Sequence, residues 1–340
     1  MANNYLHKAK AVGKDEFYTQ YSDIEREMNA YYTYDNNVFK DKIILCPCDD
    51  PERSNFTRYF IMNFERFGLK KLISTSYAKG MFDFEDMFVN ADVREDDLHG
   101  RVLIVTKENI SEIDINAVQY EYLRGNGDFH TKEVSRFRDE VDMIITNPPF
   151  SLFREFLAWV REGNKKFALI GNQNAITYKE VFPLIKENEL WLGNGFPGNV
   201  GYFESPYEDV AKSMQHKEGL IRVAGVMWFT NLEHGNRHVW MELRTMLENI
   251  EYNKKFRNKI ESDYNGCYYL KYDNYDAIEV PVTEAIPSDY DGVMGVPITF
   301  LDKYNPNQFE IIKFRKGADG KDLAVNGKCP YFRILIRKKK

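Results

Sequence analysis

A chain of 340 residues, 43% hydrophobic and 29% charged, is large enough for one sizeable domain with a smaller companion. Its net charge of −6 argues against a protein that only coats nucleic acid. The sequence has neither an apolar run of about 18 residues nor a secretory signal, so the protein is expected in the cytoplasm. Its four cysteines exclude a disulfide framework, and since no second close pair follows Cys46 and Cys48 at zinc-finger spacing, no metal site is expected.

The first helix in chain order is predicted to begin at Ser22. Ser22 and Glu25 fit the S-x-x-E pattern of a capping box, in which each side chain bonds to the backbone of the other residue. Ile24, Met28 and Tyr31 recur at the spacing of one helical face. This apolar stripe predicts a helix that packs against the core.

Strand-like apolar runs follow, with helical segments between them. The helix after the first run carries Phe56, Tyr59, Phe60 and Phe67 on one face and is expected to end at Gly68. Alternation of this kind is typical of βαβ units around a mostly parallel sheet. The predicted strands are 42–48, 70–77, 100–109, 118–124, 141–146, 165–171 and 221–230.

A pair of prolines ends one of these strands abruptly. Residues 143–145 have the composition of a buried parallel strand, and Pro148 and Pro149 cannot donate the hydrogen bonds that would continue it. After Ser151 the apolar spacing predicts a helix that stops at Gly163. The string Asn-Pro-Pro-Phe therefore lies at the carboxyl end of a strand, where open α/β sheets bind ligands.

The C-terminal third differs in texture from the rest. From residue 263 to residue 300 the chain is rich in Tyr, Asp, Pro and Gly and lacks helical periodicity, so we place a boundary between residues 235 and 260. Residues 301–340 contain 11 Lys or Arg against 4 Asp or Glu. This basic C-terminal segment indicates either a phosphate-binding surface or a solvated tail.

The Asn-Pro-Pro-Phe turn has the groups that methyl transfer to an adenine amine requires. The side-chain oxygen of Asn147 and the carbonyl of Pro148 can each accept one amine hydrogen, and the two prolines stiffen the turn so that both acceptors stay fixed. Phe150 can lie flat on the base. Catalysis is then mainly positioning and hydrogen-bond polarisation, with the proton lost to water afterwards. The structural alternative is a stiff connection with a buried aromatic, but the complete string favours an amino-group methyltransferase.

A methyl donor requires a site for S-adenosylmethionine at the same edge of the sheet. Asp49 or Asp50 can bind the α-ammonium of the donor, and the backbone amides at the start of the following helix can meet its carboxylate. Asp128 can accept from the adenine amine of the cofactor, with Phe129 beside the ring. Each Asp alone is also a common cap or turn residue, and only their positions at successive strand ends favour the binding role.

The chain resembles the EcoRI-type adenine-specific DNA methyltransferases. The resemblance implies a Rossmann-like class I methyltransferase sheet with helices on both faces and a smaller irregular α+β C-terminal region. Residues 1–240 would then form the S-adenosylmethionine-dependent methyltransferase domain and residues 241–340 the target-recognition, DNA-binding region. The matching stretches are residues 15–28, 46–56, 125–129, 146–156 and 295–312.

The same resemblance assigns roles to individual residues. Asn147 to Phe150 correspond to the catalytic loop. Phe17, Tyr18 and Thr19 match the N-terminal cofactor-contacting motif. The stretch in place of the usual glycine-rich cofactor loop consists of Cys48, Asp49, Asp50 and Pro51.

Two departures from the wider methyltransferase pattern concern the cofactor. The first loop lacks the F-x-G-x-G pattern, so the glycine rule cannot assign its contacts. The second strand ends in Ser74, Thr75 and Ser76, which offer hydroxyls where an acid commonly holds the ribose. The residue that binds the ribose is therefore left open.

Motif order and charge point to double-stranded DNA as the partner. The cofactor loop comes first, the Asn-Pro-Pro-Phe turn next and the irregular segment last, an order that resembles the class of methyltransferases whose target-recognition region is C-terminal. An adenine in a duplex must be flipped out of the base stack to react. Residue charge makes Arg315, Arg333 and Arg337 candidates for DNA binding, with Arg257 as a further one.

Three alternatives stay open at this point. The same turn chemistry would serve an RNA adenine or a protein glutamine amide, and a non-catalytic DNA-binding relative would keep the fold. A cognate restriction endonuclease that acts on the same site, without a stable complex, is compatible with a modification methylase.

Overall fold

The computed structural model describes residues 18–78, 98–204, 216–217, 220–315, 323–327, 330 and 332–339. The chain divides into two compact units. Unit 1 comprises residues 1–175 and 192–234, and unit 2 comprises residues 176–191 and 235–340. Residues 176–191 thus group with the C-terminal part of the chain, a feature that no sequence pattern indicated.

Strands and α-helices are interleaved along the described parts of both units. The strands are β1 (Tyr18–Thr19), β2 (Ile43–Cys46), β3 (Lys71–Ser76), β4 (Arg101–Thr106), β5 (Glu121–Tyr122), β6 (Met143–Thr146), β7 (Lys166–Asn172), β8 (Trp191–Leu192), β9 (Val200–Glu204), β10 (His216–Lys217), β11 (Leu220–Ala224), β12 (Val226–Thr230), β13 (Ile278–Glu279), β14 (Met294–Pro297), β15 (Phe309–Arg315) and β16 (Arg333–Lys338). The α-helices are α1 (Tyr21–Tyr34), α2 (Asn55–Met62), α3 (Phe64–Phe67), α4 (Lys132–Glu140), α5 (Phe153–Glu162), α6 (Phe182–Lys186), α7 (Met246–Tyr252) and α8 (Lys254–Tyr264).

The largest sheet is mixed, with the strand order β5-β4-β3-β2-β6-β7-β12-β8. Its centre is parallel, since β2 pairs with both β3 and β6, and β6 pairs with β7, in the same direction. Strands β4 and β12 run antiparallel to their neighbours β3 and β7. The prediction of a mostly parallel sheet is therefore right only for the four central strands, because an apolar run indicates burial and does not determine strand direction.

The predicted strand over residues 221–230 is two strands in different sheets. Gly225 separates β11 from β12 with a backbone φ of +72°, in the left-handed region that favours glycine. Strand β12 joins the large sheet beside β7, whereas β11 lies between β9 and β10 in a four-stranded sheet of order β1-β9-β11-β10. This second sheet places β1 beside β9.

The two predicted helices near the N-terminus are present, with different boundaries. Ile24, Met28 and Tyr31 of α1 are fully buried, as the apolar stripe predicted. The capping box was wrong, because α1 already begins at Tyr21 and the residue before it, Gln20, is the N-cap. The pattern S-x-x-E also fits positions inside a helix, so it could not locate the first turn.

The helix after β2 is interrupted once. Helices α2 and α3 meet at Asn63, and the αL conformation of Gly68 ends α3 as predicted. The four aromatic side chains of the predicted face are all buried. They are Phe56, Tyr59, Phe60 and Phe67.

Unit 2 is built around a four-stranded sheet of order β13-β14-β16-β15. Its interior contains an ion pair in which Arg333 Nη2 donates to Glu279 Oε1 at 2.6 Å.

Among the described residues, no helix combines the length and the apolar composition needed to cross a bilayer. The described ranges also contain no group of three or more His, Cys, Asp or Glu side chains that could hold a metal ion.

Candidate active site

The Asn-Pro-Pro-Phe turn connects β6 to α5 as predicted. Pro148 is buried, whereas Asn147, Pro149 and Phe150 are half-buried. A 3-10 turn, Phe150–Leu152, precedes α5, which ends at its cap residue Gly163. The turn therefore lies at the carboxyl edge of the parallel strands, with part of its surface accessible.

Asp49 joins three strand ends at this edge. Its Oδ2 accepts a hydrogen bond from Thr146 Oγ1 at 2.5 Å, and its Oδ1 accepts one from Ser54 Oγ at 2.6 Å. Its backbone amide donates to the carbonyl of Thr75 at 2.9 Å. Thr146 directly precedes Asn147, so Asp49 couples the loop after β2 to the start of the Asn-Pro-Pro-Phe turn.

The two acids predicted to bind the donor ammonium both have partners within the protein. Asp49 is 4% exposed, and both of its carboxylate oxygens accept the hydrogen bonds just described. Asp50 Oδ1 accepts from the amide of Glu52 at 3.0 Å, and Asp50 Oδ2 lies 3.3 Å from Arg101 Nη1. These contacts give Asp49 a bracing role, and the ammonium contact remains a prediction for either acid.

The environment of Asp49 predicts a pH dependence of stability. Burial raises the pKa of its carboxyl from an ordinary 3.8 to about 7. The folded state therefore binds a proton that the unfolded chain has already lost, and the stability that this group contributes is fully present below about pH 4 and is lost as the pH rises through about 7. We expect Asp49→Asn, which can bond to both hydroxyls, to flatten this decline.

The measurement is the free energy of unfolding in urea at intervals from about pH 4 to pH 8. Glu27, whose pKa burial also raises to about 7, is present in both proteins, so the difference between them reports Asp49. Parallel curves for the wild type and Asp49→Asn would contradict the assignment.

The N-terminal motif lies next to the turn. Asn55 Nδ2 donates to the carbonyl of Thr19 at 2.8 Å, which ties β1 to the first residue of α2. In the small sheet Thr19 is paired with Phe203, and the ring of Phe203 lies edge-on to that of Phe150 at 6.4 Å between centroids. Tyr18 is half-buried beside Thr19, while Phe17 lies outside the described residues.

Three backbone segments meet closely at the end of β3. A Cβ atom on Gly127 would lie 2.2 Å from the carbonyl oxygen of Ser76, and one on Gly100 would lie 2.7 Å from the same oxygen. The amide of Ala78 donates to the carbonyl of Asn126 at 2.8 Å. Only glycine permits this approach, so Gly100 and Gly127 allow the three segments to pack together beside the strand end.

Two buried hydroxyls at this edge have no hydrogen-bond partner among the described residues. They are Ser76 Oγ, on a residue that is 6% exposed, and Thr19 Oγ1, on a residue that is 2% exposed. A buried hydroxyl without a partner is costly unless a ligand or water satisfies it. Both atoms are therefore candidates for contact with a bound molecule.

Asp128 and Phe129 have local partners of their own. Asp128 Oδ1 accepts from the amide of His130 at 2.8 Å. The ring of Phe129 is 6% exposed and packs edge-on against Phe156 and Trp159, with centroids 5.1 Å and 5.7 Å away. Phe129 is thus largely a core residue, and the cofactor contacts predicted here remain predictions.

The predicted DNA-binding arginines differ in accessibility. Arg333 is 8% exposed and bonded to Glu279, so it is an interior residue, and the charge count misidentified it as a surface group. Arg337 is half-exposed and pairs with Glu310 at 2.9 Å. Arg315 ends β15, and the description does not extend to its side chain. The further candidate Arg257 donates to the carbonyl of Ile250 at 3.2 Å.

Sequence reasoning missed Ser54 and Thr146 as parts of the site. Ser54 caps α2 by accepting from the amide of Phe56, and a Ser just before an apolar run is the usual signal for such a cap. The contact of Thr146 with Asp49 spans 97 residues of chain, so no local pattern could reveal it.

The comparisons with known proteins agree with the motifs. The chain matches the family model described as adenine-specific methyltransferase EcoRI over residues 5–339. The Type II methyltransferase M.EcoRI of Escherichia coli is 45% identical, covering 99% of this chain and 97% of that protein. The Type II methyltransferase M.MpnI of Mycoplasma pneumoniae is 30% identical, covering 99% and 98%. A crystal structure from Pyrococcus horikoshii, described as that of an RNA methyltransferase candidate, is 16% identical and covers 65% of this chain and 89% of that one. Its TM-score of 0.32 is too low for a comparison of the two sites.

Proposed function

The chain belongs to the EcoRI-type adenine-specific methyltransferase family, and from this premise we propose that it transfers a methyl group from S-adenosylmethionine to the N6 amine of adenine in double-stranded DNA. The observation that carries the proposal is the Asn-Pro-Pro-Phe turn at the carboxyl end of β6, joined through Thr146 and Asp49 to the loop after β2. The protein is then a modification methylase of a restriction-modification system.

The turn polarises the amine by accepting its hydrogens. With the base flipped out of the duplex, Asn147 Oδ1 and the carbonyl of Pro148 each accept one hydrogen of the N6 amine, which draws the nitrogen lone pair out of conjugation with the ring. Phe150 stacks on the flipped base, and Pro149 keeps the two acceptors at a fixed separation. The nitrogen proton leaves to water after transfer, so no side chain has to act as a strong base.

The residues at the sheet edge fit S-adenosylmethionine. Its ribose diol matches the Ser76 hydroxyl, which has no hydrogen-bond partner among the described residues. When bound, its sulfonium supplies an electrophilic methyl group. Tyr18, Thr19, Asp50 and the loop 48–51 are proposed to hold the amino-acid end, and Asp128 to meet the adenine. We also propose that helices cover both faces of the central strands, as in a Rossmann-like methyltransferase.

We assign the ribose contact to Ser76. Removing its hydroxyl by Ser76→Ala is expected to weaken S-adenosylhomocysteine binding about tenfold, because one net hydrogen bond is worth about 1 kcal/mol. Calorimetric titration with the parent ligand and with its 2′-deoxy and 3′-deoxy analogues forms a double-mutant cycle. One deoxy analogue should bind the wild type and Ser76→Ala equally well.

Ser262→Ala, at an exposed position in unit 2, is the matched control and should bind all ligands as the wild type does. An equal loss of affinity for all three ligands in Ser76→Ala would show that the hydroxyl has no specific contact with the ribose.

Product analysis tests the proposed function. The protein is incubated with S-adenosylmethionine labelled in the methyl group and, in separate reactions, with duplex DNA of mixed sequence, with RNA and with a protein extract, and the labelled nucleosides and amino acids are identified by mass spectrometry. We expect label in N6-methyldeoxyadenosine. Label only in methylated cytosine, in RNA or in a protein glutamine would overturn the substrate assignment, and no label in any acceptor would favour a non-catalytic DNA-binding relative. A cognate endonuclease at the same site stays a prediction.

A further inference from the structure

A short exposed turn in unit 2 carries two adjacent apolar side chains. Val239 is 61% exposed and Trp240 is 64% exposed. The other three tryptophans of the chain, Trp159, Trp191 and Trp228, are at most 8% exposed. An exposed indole next to an exposed valine offers a small apolar surface that a partner could cover. We call residues 239–240 the apolar tip.

Two buried amide side chains hold the apolar tip in place. Gln308, 7% exposed, accepts from the amide of Met241 and donates to its carbonyl, both at 2.8 Å. Asn305, fully buried, donates to the carbonyl of Val239 at 3.4 Å. These bonds fix the backbone on both sides of Trp240. The tip is therefore presented in one conformation, which lowers the entropy lost when a partner binds.

The stretch of sequence that contains the apolar tip is basic relative to the whole chain, which favours a polyanion. Residues 235–260 contain six Lys or Arg against three Asp or Glu, in a chain whose net charge is −6. Four of the six basic residues are exposed, namely Arg244, Lys254, Lys255 and Lys259, whereas Arg237 is buried and the three acidic residues are exposed. A fixed apolar tip with basic groups in the following 20 residues or so matches duplex DNA, whose outer surface is phosphate and whose base faces are apolar.

We propose that the apolar tip enters the duplex and that Trp240 stacks on a base step, an inference that rests on the proposed function. Phosphates and groove edges are polar, so the base faces are the DNA surface on which an indole ring can be covered. Apolar side chains that wedge between base pairs kink the duplex, and unstacking costs only a few kcal/mol per step. The wedge bends the substrate while the target adenine is extruded.

Tryptophan fluorescence reports the insertion directly. Because the other tryptophans are buried, acrylamide quenches mainly Trp240 in the free protein. We expect a duplex that the protein methylates to reduce the quenching constant at least twofold, and Trp240→Ala to lack this change. Trp240→Ala should also weaken duplex binding about tenfold and reduce DNA bending measured by end-to-end energy transfer, whereas Trp240→Phe restores most of both.

The controls separate the possible failures. Trp240→Ala should bind S-adenosylhomocysteine as the wild type does, which verifies folding, and Tyr34→Ala, at a residue of unit 1 that is 47% exposed, should leave duplex binding unchanged. Unchanged duplex affinity and bending in Trp240→Ala would overturn the wedge. Protection of Trp240 that grows with protein concentration in the absence of DNA would assign the tip to a second copy of the chain instead. A wild-type protein that methylates no adenine in the same duplex would refute the proposed function itself.

Discussion

Asn147→Ala is expected to lower the rate of adenine methylation about 100-fold to 1,000-fold, while the affinities for S-adenosylhomocysteine and duplex DNA change by less than about threefold. The variant removes one of the two acceptors that draw the amine out of conjugation and leaves the prolines and Phe150 in place. An interaction of this kind strengthens as the nitrogen becomes tetrahedral, so its loss falls on the chemical step.

Single-turnover kinetics with saturating DNA and donor measure this step without product release. Asn147→Asp is the matched variant, because it retains an acceptor oxygen and should lose less rate than Asn147→Ala. A rate for Asn147→Ala within about threefold of the wild type would rule out the side-chain amide as an essential acceptor.

Gly127→Ala is expected to have the largest effect on stability and donor binding together. The added Cβ would lie 2.2 Å from the carbonyl oxygen of Ser76, and the backbone φ of +79° already disfavours any side chain. Relief of this clash must move the strand end or the loop around residues 125–128. We expect a loss of about 3 kcal/mol or more of unfolding free energy and at least a tenfold loss of donor affinity.

Gly327→Ala separates the clash from the backbone strain. Gly327 has a similar φ of +72°, but no heavy atom of the described residues lies within 4 Å of its Cβ position. This variant should lose only about 1–2 kcal/mol and keep its donor affinity. Equal losses of stability and of donor affinity in the two variants would show that the close approach at Ser76 has no special role.

The sequence was informative where the physical cause is local. Pro148 and Pro149 cannot donate backbone hydrogen bonds, so the end of β6 could be located from the prolines alone. The apolar spacing in α1 and α2 located their buried faces for a similar reason, since side chains three and four residues apart share one side of a helix. These local rules placed the Asn-Pro-Pro-Phe turn correctly at the edge of the sheet.

The sequence was less informative where the cause is tertiary. The direction of β12 depends on which strand it meets, and the division at Gly225 sends two halves of one apolar run into different sheets. Arg333 carries the same charge as Arg337, but only the fold shows that one is buried against Glu279. The contact of Thr146 with Asp49 is likewise a result of the strand order.

A crystal structure of the protein with a duplex and a non-reactive donor analogue tests the central claim most directly. The account predicts an extruded adenine whose N6 lies within about 3 Å of Asn147 Oδ1 and of the Pro148 carbonyl, with Phe150 on its face and the analogue facing N6 from the opposite side. An adenine that stays stacked, or an amine held by other groups while Asn147 faces the interior, would contradict it.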